Sequence, residues 1–537
     1  MKPGERSAGP PVYRASGPSP LRSCAMASHP VDAPARPRLR ALAIAGAALA
    51  VAAGIALRTT SRSDLWLDEA LSVNIAHLPI GDLLDALRHD GHPPLYYLLL
   101  HGWMKAFGTG DDAVRSLSGV LSVATIPLLW VAGRRYGGRG AALAAVVLLA
   151  TNPFAIRYAT EARMYALVTL LVVAGWLAVR SSLEERSLLA LAGVSITAGL
   201  LLLTHYWSFY LVAAVGMVLA WLWWKGHPRA RTVFLALAVG CLLFVPWLPA
   251  FLDQAGSTGT PWGEPNRPTT VITVSLTDWG GGTLDGLNGE AQVLGALLAM
   301  LALLALFGRP IDDDHIDLDV RIRPHARPEA IVVALTIGLA VIAGYATASA
   351  FASRYTAGVF PIVVLVAAYG VTRLPRTTIQ GSVVAALAVL GLVGGIDNLV
   401  TQRTQGGAIG RYIAANGQPD DVVAFCPDQL GPAVERLLPD GFHELTFPSG
   451  ASPKFVDWID YEERLQASDP VVFAEMLDEK AGAGTVWLVW SGKYRTLGSR
   501  CETITDQLRK QRPGGTPVVT SGEEFEHAWL FQYGPVP

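Results

Sequence analysis

Charge is what this sequence has least of. Only 16% of its 537 residues are Asp, Glu, Lys or Arg, against 51% hydrophobic, whereas a soluble domain carries about 25% charged residues. That shortage excludes an ordinary soluble enzyme and marks a membrane protein. A formal net charge of −2 excludes the basic footprint by which proteins draw nucleic acid. Cysteine is sparse too: none of the four cysteines forms a Cys-x-x-Cys pair, which excludes zinc-ribbon and thioredoxin-type motifs. No serine-nucleophile elbow is present. The glycine cluster "DWGGGTLDGLNG", residues 278 to 289, lacks the Lys-Ser/Thr ending and strand-to-helix setting of a phosphate loop.

What the sequence does have is apolar runs. A bilayer core about 30 Å thick needs roughly 20 apolar helical residues, and such runs give about eleven candidate spans. Their centres lie near residues 49, 124, 148, 172, 196, 216, 241, 300, 340, 366 and 388. Residues 1–36, rich in Pro, Ser and Gly, have too little apolar surface to offset the entropy of ordering, so a disordered tail is expected, with Met26 a second candidate start. The run beginning near Ala41 lies too deep and is too long for a cleavable signal. "PPLYYLLLHGWMKAFG", residues 93 to 108, is interrupted by His101 and Lys105. It is expected as an interfacial, juxtamembrane helix rather than a span.

Lys and Arg concentrate in cytoplasmic loops. Here every second loop is basic: Arg38 and Arg40, then Arg134, Arg135 and Arg139, then Arg180 and Arg186, then Lys225, Arg229 and Arg231, then Arg309, Arg321, Arg323 and Arg327, and last Arg373 and Arg376. The amino terminus is therefore expected inside, and the alternate loops outside. The expected organisation is a cytoplasmic tail (1–36), a membrane domain (37–399) with a first external loop at 59–113, and an extracytoplasmic domain (400–537). "DDVVAFC", "GTVWLVW" and "EHAWLFQY" read there as strands and "QLGPAVERLL" as an amphipathic helix, predicting an α/β domain. Its Cys426 and Cys501 are permitted a disulfide outside, while Cys24 and Cys241 read as inert. The aromatics Trp458, Trp487, Trp490 and Trp529 suit either sugar stacking or a core, the core being the commoner use.

Three phrases share the outer side: "DLWLDEALS" with the acidic pair Asp68 and Glu69, "HDGHPPLYYLLLHGW", and "NPFAIRYATEARMYAL". A lone acidic pair is explained by hydration or a helix start. In this order, with "SRYTAGVFPIVVLVAAYG" at residues 353 to 370, the phrases resemble the GT-C class of membrane glycosyltransferases. The resemblance is to glycosyltransferase family 39, the protein O-mannosyltransferases and lipid A aminoarabinose transferases, and is closest to bacterial members described as predicted mannosyltransferases. It runs from about residue 60 to 180.

The resemblance implies a GT-C fold and transfer of a sugar, mannose by default, from a polyprenyl-phosphate donor to an acceptor hydroxyl on the outer face of the bacterial cytoplasmic membrane. Its catalytic carboxylate maps onto Asp68, as base in a single inverting displacement. Glu69 would orient Asp68 or the acceptor. A lipid phosphate leaves as a stable anion, so no second acid is needed. Its cationic partners would be Arg354 and Arg163, permanent charges with two-pronged donors, and His92, which replaces a family lysine. Glu161, Tyr165, His205, Tyr206 and Tyr355 are substrate-binding candidates. For Arg163 a structural alternative is an ion pair with Glu161 at a helix start capped by Thr160. His205 equally suits an aromatic interfacial belt.

No cofactor is required, and a divalent metal is compatible but unassigned: His89, His92 and His101 with Asp68 imitate a metal site. "IDDDHIDLD", residues 311 to 319, falls on the inner side and reads as a solvated charge run. Residues 278–289 read as an external loop which, with Trp262, Glu264 and Asp278, would close over the acceptor. The acceptor is a glycan, lipid or protein. Rival readings are a transporter or flippase, disfavoured by nearly charge-free spans without an internal repeat, and an inactive glycan-binding scaffold.

Overall fold

The computed structural model describes residues 37–257, 265–282, 289–321, 324–492, 494–522 and 524–535. The tail 1–36, Trp262, Glu264, Arg323 and residues 283–288 of the glycine cluster lie outside the described residues. The chain divides into two compact units, Met1–Ala45 and Gly46–Pro537. In the first, only the start of helix α1 (Pro37–Ala56) is described; the second holds everything that follows.

After α1 come three short helices, α2 (Leu67–His77), α3 (Ile80–Asp90) and α4 (Leu95–Phe107). At 13 residues, α4 reaches about 20 Å, and unlike the helix Phe360–Val371, of similar length, it carries His101 and Lys105. Its Tyr96, Tyr97 and Leu100 are enclosed by protein. Then come α5 (Asp111–Thr151), α6 (Pro153–Ala159), α7 (Tyr165–Glu184), α8 (Leu188–Leu202), α9 (Ser208–Trp224), α10 (Ala230–Cys241) and α11 (Leu248–Ser257). Next are α12 (Pro268–Trp279), α13 (Gly289–Phe307), the hairpin β1 (Gly308–Pro310) and β2 (Ile316–Leu318), α14 (Arg327–Ala346), α15 (Phe360–Val371) and α16 (Thr377–Val400).

Among the described residues, α5, α7, the stretch Ala230–Ser257, α13, α14 and α16 are long and apolar enough to cross a membrane; shorter apolar helices cover Ala41–Ala56, α8, α9 and α15. Each of the eleven expected centres falls on one of these, because α5 carries two of them. It departs from helical geometry at Gly137 and at Gly138 (φ 81°, ψ −163°), a conformation open to glycine and strained for other residues. The chain folds back there, and Gly133 lies so close to Ala142 that a Cβ on it would meet the Ala142 Cα at 2.6 Å. The acidic run at 311–319 sits on and beside the β1–β2 hairpin, mostly exposed.

The carboxyl-terminal part is an α/β domain: α17 (Gly406–Asn416), β3 (Val422–Cys426), α18 (Gly431–Glu435), β4 (His443–Thr446), α19 (Tyr461–Ala467), α20 (Pro470–Ala481), β5 (Val486–Trp490), α21 (Arg500–Gln511), β6 (Gly514–Val519) and β7 (Trp529–Tyr533). The sheet order is β4-β3-β5-β7-β6, with β3 parallel to β4 and β5, and β7 antiparallel to β5 and β6. Side chains alternate across a strand, so β3 feeds two cores. Val422 and Ala424 pack with Leu477, Ile504 and Leu508, while Val423 and Phe425 pack with Ile409, Ile413 and Val434. Helices thus cover both faces of this buried sheet. Cys426 and Cys501 form a disulfide between β3 and α21. Trp66 and Leu67, at the start of α2, belong to one of these cores.

Candidate functional site

Asp68 and Glu69 occupy the first turn of α2, where the positive end of the helix dipole favours carboxylates. Neighbours on a helix point about 100° apart, and the pair divides accordingly. Glu69 has no exposed side-chain surface. It accepts hydrogen bonds from Arg115 Nε at 2.7 Å and Nη2 at 2.6 Å, and from the Ala162 N–H at 2.9 Å, with Arg403 Nη1 at 3.9 Å. Burial pushes the Glu69 carboxyl up, but Arg115, Arg403 and the Ala162 N–H together hold it below its ordinary value.

Asp68 faces a different group of side chains. Its Oδ2 lies 3.4 Å from Arg354 Nη2 and 3.7 Å from Arg163 Nη2, distances of attraction rather than hydrogen bonding. That oxygen is buried with no hydrogen-bond partner, as are Arg163 Nε, Arg354 Nε and the Tyr165 hydroxyl. Arg354 comes from the 3-10 turn Ser353–Gly358, which Trp279 anchors by donating from Nε1 to Thr356 Oγ1 at 2.9 Å. Its guanidinium also lies 5.7 Å from the Trp66 ring centroid and 5.8 Å from that of Tyr355. Burial alone would lower both guanidinium pKa values, but the Asp68 charge and nearby tyrosines raise them, so both remain cations.

Arg163, in the turn between α6 and α7, donates to Ser72 Oγ at 3.0 Å and to the Asp68 carbonyl at 3.3 Å. Its Nη2 lies 3.0 Å from His92 Nε2. A guanidinium only donates, so Nε2 accepts and Nδ1 carries the hydrogen, donated to Asp90 Oδ2 at 2.8 Å. The Tyr97 hydroxyl also donates to Asp90, at 2.9 Å. Burial raises the Asp90 carboxyl; His92, Arg163 and Tyr97 bring it below its ordinary value. An ordered chain Asp90–His92–Arg163 thus stands behind Asp68. His205 packs on Tyr165 and Tyr355, with ring centroids 5.7 and 5.2 Å apart. Burial, reinforced by His92, Arg163 and Arg354, pushes its pKa well down, so its imidazole is neutral at pH 7.

Asp68, Arg163, Arg354, His92, Tyr165, His205 and Tyr355 therefore come together. Glu69 and Glu161 are enclosed behind them: Glu161 pairs with Arg157 at 3.3 Å and Arg403 at 3.6 Å. The alternative ion pair of Arg163 with Glu161 is not formed, nor does Thr160 cap α7. The Thr160 hydroxyl donates to the Arg157 carbonyl at 2.9 Å, and Met164 holds the N-cap position. Tyr206 is not brought to Asp68: its hydroxyl donates to Gln254 and accepts from Trp247 Nε1 at 2.9 Å. Asp278 accepts from the Tyr158 hydroxyl at 3.3 Å.

Arg115, Arg403 and Asp90 escaped the sequence reading. Arg115 and Arg403 stand near the ends of apolar runs, a weak signal, since ionisable groups there are often functional or structural.

The histidines do not gather. His89 pairs with Asp457 at 3.1 Å, and His101 donates from Nδ1 to the Ala76 carbonyl at 2.8 Å. Among the described residues no three His, Cys, Asp or Glu side chains form a group able to hold a metal ion. A divalent cation does not fit beside Asp68, where two guanidinium groups already face the carboxylate. A cavity of about 360 Å³ runs between α7, α8, α9 and α15, lined by Val172, Trp176, Val194, Leu201, Leu211 and Ile362 among others. None of Asp68, Arg163 and Arg354 lines it.

Residues 91–249 match the family described as dolichyl-phosphate-mannose-protein mannosyltransferase. The fold is similar to that of ArnT from Cupriavidus metallidurans in the apo state, at 12% identity over 92% of this chain and 98% of that one, with a TM-score of 0.60. ArnT bound to undecaprenyl phosphate aligns at 13% identity over 93% and 98%, with a TM-score of 0.54. The Archaeoglobus fulgidus oligosaccharyltransferase in complex with Zn and sulfate aligns at 11% over 91% and 73%, with a TM-score of 0.52. No curated protein matches the chain by sequence.

Proposed function

We propose that the chain, whose fold is similar to that of ArnT and whose residues 91–249 match a mannosyltransferase family, is a GT-C glycosyltransferase similar to glycosyltransferase family 39 that transfers a sugar from a polyprenyl-phosphate donor to an acceptor hydroxyl. One observation carries this reading: Asp68 Oδ2, Arg163 Nε and Arg354 Nε are buried polar atoms without partners around a single carboxylate. Buried donors and acceptors in native proteins are nearly always satisfied. Two cationic forks with unspent donors suit a phosphate, and an acceptor-only carboxylate between them suits the hydroxyl that must lose a proton.

In this mechanism Arg354 and Arg163 bind the donor phosphate and leave Asp68 for the acceptor. As the acceptor oxygen attacks the anomeric carbon, its proton passes to Asp68 and the sugar–phosphate bond breaks. The phosphate departs as an anion held by the arginines. A single displacement inverts the anomeric centre. Asp90 and His92 orient Arg163, and neutral His205 with Tyr165 and Tyr355 walls the site. No step requires a cofactor. By the distribution of Lys and Arg the site faces outside, with the amino terminus in the cytoplasm.

The test is transfer by purified protein from radiolabelled polyprenyl-phosphate sugars, mannose first, to a membrane extract, comparing wild type with Asp68→Asn. Undiminished transfer by the variant would sink Asp68 as the base. Absence of transfer from every donor would turn the reading toward a transporter or a glycan-binding scaffold.

A further inference from the structure

Helix α2 begins without a cap of its own. Trp66 occupies the N-cap position and makes no side-chain cap bond, although the first N–H groups of a helix have no partner within it. The C-terminal domain supplies one. Glu526 Oε1 accepts the Leu67 N–H at 3.2 Å, one residue before Asp68, and its other oxygen accepts from the Thr404 hydroxyl. The Glu526 N–H donates to the Arg403 carbonyl at 2.8 Å, and its own carbonyl accepts the Gln405 N–H at 3.4 Å. Phe525 meets Trp66 edge-on at 5.3 Å. Glu526 is buried, so the contact belongs to the protein interior.

We propose that Glu526 caps, from the C-terminal domain, the helix that bears Asp68, and is thereby a positioning residue for the transfer reaction. The proposal rests on Asp68 as the base. Its physical content is that a carboxyl oxygen at a helix N-terminus satisfies an orphan N–H. The Asp68 backbone then cannot drift relative to Arg354 and Arg163. A displacement of about 1 Å at a reacting group is enough to reduce turnover by orders of magnitude. The C-terminal domain would thus be needed for chemistry as well as for any part in acceptor choice.

The experiment uses the full-length protein and four variants: Glu526→Ala, Glu526→Asp, Glu526→Gln and Asp68→Asn. Two readouts are taken, donor kinetics and amide hydrogen exchange of the segment covering residues 64–72. Glu526→Ala is expected to lower kcat on the order of tenfold with donor KM little changed, and to speed exchange in that segment. Glu526→Gln keeps a carbonyl acceptor, so it is expected to restore exchange protection and most of kcat. Glu526→Asp withdraws the carboxylate by one methylene and is expected to fall between, which serves if the alanine variant does not fold. Unchanged exchange at 64–72 in the alanine and aspartate variants would overturn the cap. So would equal losses in the glutamine and alanine variants. Full transfer by Asp68→Asn would instead refute the functional reading, while the exchange data would still decide whether Glu526 caps α2.

Discussion

Replacing Glu69 by glutamine changes one atom of a carboxylate with no exposed surface, and the geometry says what that atom must do. If the amide oxygen takes the place of Oε1, it still accepts from Arg115 Nε and from Ala162. The amide NH2 then stands where Oε2 accepted from Arg115 Nη2 at 2.6 Å, donor against donor. The reverse orientation sets the NH2 against two donors. In either case Arg115 loses its buried counter-charge, and Arg403 is left with Glu161 alone at 3.6 Å. Breaking a buried ion pair from one side costs about 3–5 kcal/mol. Asp68→Asn differs, because the Asp68 side chain is 17% exposed and its Oδ2 makes no hydrogen bond. Arg163 keeps Ser72 and His92, but Arg163 and Arg354 lose the charge they share, so a loss of about 1–3 kcal/mol is expected, smaller than that of Glu69→Gln.

The two halves of the pair should therefore separate in experiment. Glu69→Gln is expected to lower the apparent Tm of the detergent-solubilised protein by several degrees. Asp68→Asn should lower Tm less than Glu69→Gln does, while losing about 100-fold or more in kcat, the usual worth of a general base. A Glu69→Gln protein as stable as wild type but inactive would refute the assignment and move Glu69 into the chemistry. Equal destabilisation by both variants would make Asp68 structural.

Arg354→Lys keeps the charge but loses the fork; it is expected to weaken polyprenyl-phosphate binding about tenfold, and an unchanged Kd counts against Arg354 as a phosphate ligand. His92→Gln can still accept from Arg163 and donate to Asp90, whereas His92→Leu cannot, so kcat should survive the first and fall with the second; equal losses would discard the Asp90–His92–Arg163 chain. Asp428 is pushed up to about 7 by burial, against the pull of Tyr461 and Arg464. Its folded pKa is raised, so its contribution to stability is full below about pH 4 and is lost as pH rises to about 7. Asp428→Asn should then match wild type near pH 4 and exceed it by a few kcal/mol at pH 8, read by thermal unfolding across pH. Glu526, also pushed up to about 7 by burial, leaves a residual slope in the variant.

Much of the fold was legible because its signals are local. The apolar runs became helices, and the strands "VVAFC" and "VWLVW" announced themselves as short β-rich runs buried on both faces. The reversal at Gly137–Gly138 was legible as a break between two spans, marked by Arg134, Arg135 and Arg139, but not as a glycine turn inside one long helix. The site was legible in part. Asp68, Arg163, His92 and Arg354 came from phrases whose order resembles a family, and they meet in space. Arg115 and Arg403 were not readable, because a guanidinium near the end of an apolar run says nothing of which carboxylate it will enclose. Tyr206 shows the opposite case. It follows His205 directly, yet one step along the chain turns its ring toward Phe251, 4.9 Å away, where Trp247 and Gln254 hold its hydroxyl.

Why should a base sit against two cations? In the free protein Arg354 and Arg163 attend Asp68 at 3.4 and 3.7 Å, too far for good hydrogen bonds and close enough to exclude another cation. A phosphate offers each guanidinium several oxygens at hydrogen-bond distance, so it outcompetes a single carboxylate oxygen for them. On the proposed reading, donor binding releases Asp68 as it occupies the arginines. The carboxylate becomes free for a hydroxyl only when there is a sugar to transfer. Glu69 cannot take part in this exchange, because Arg115 and the Ala162 N–H already occupy both of its oxygens. The adjacent acids thus divide into one that is held and one that is exchanged, and the rigidity of the first is what keeps the second within reach of both arginines.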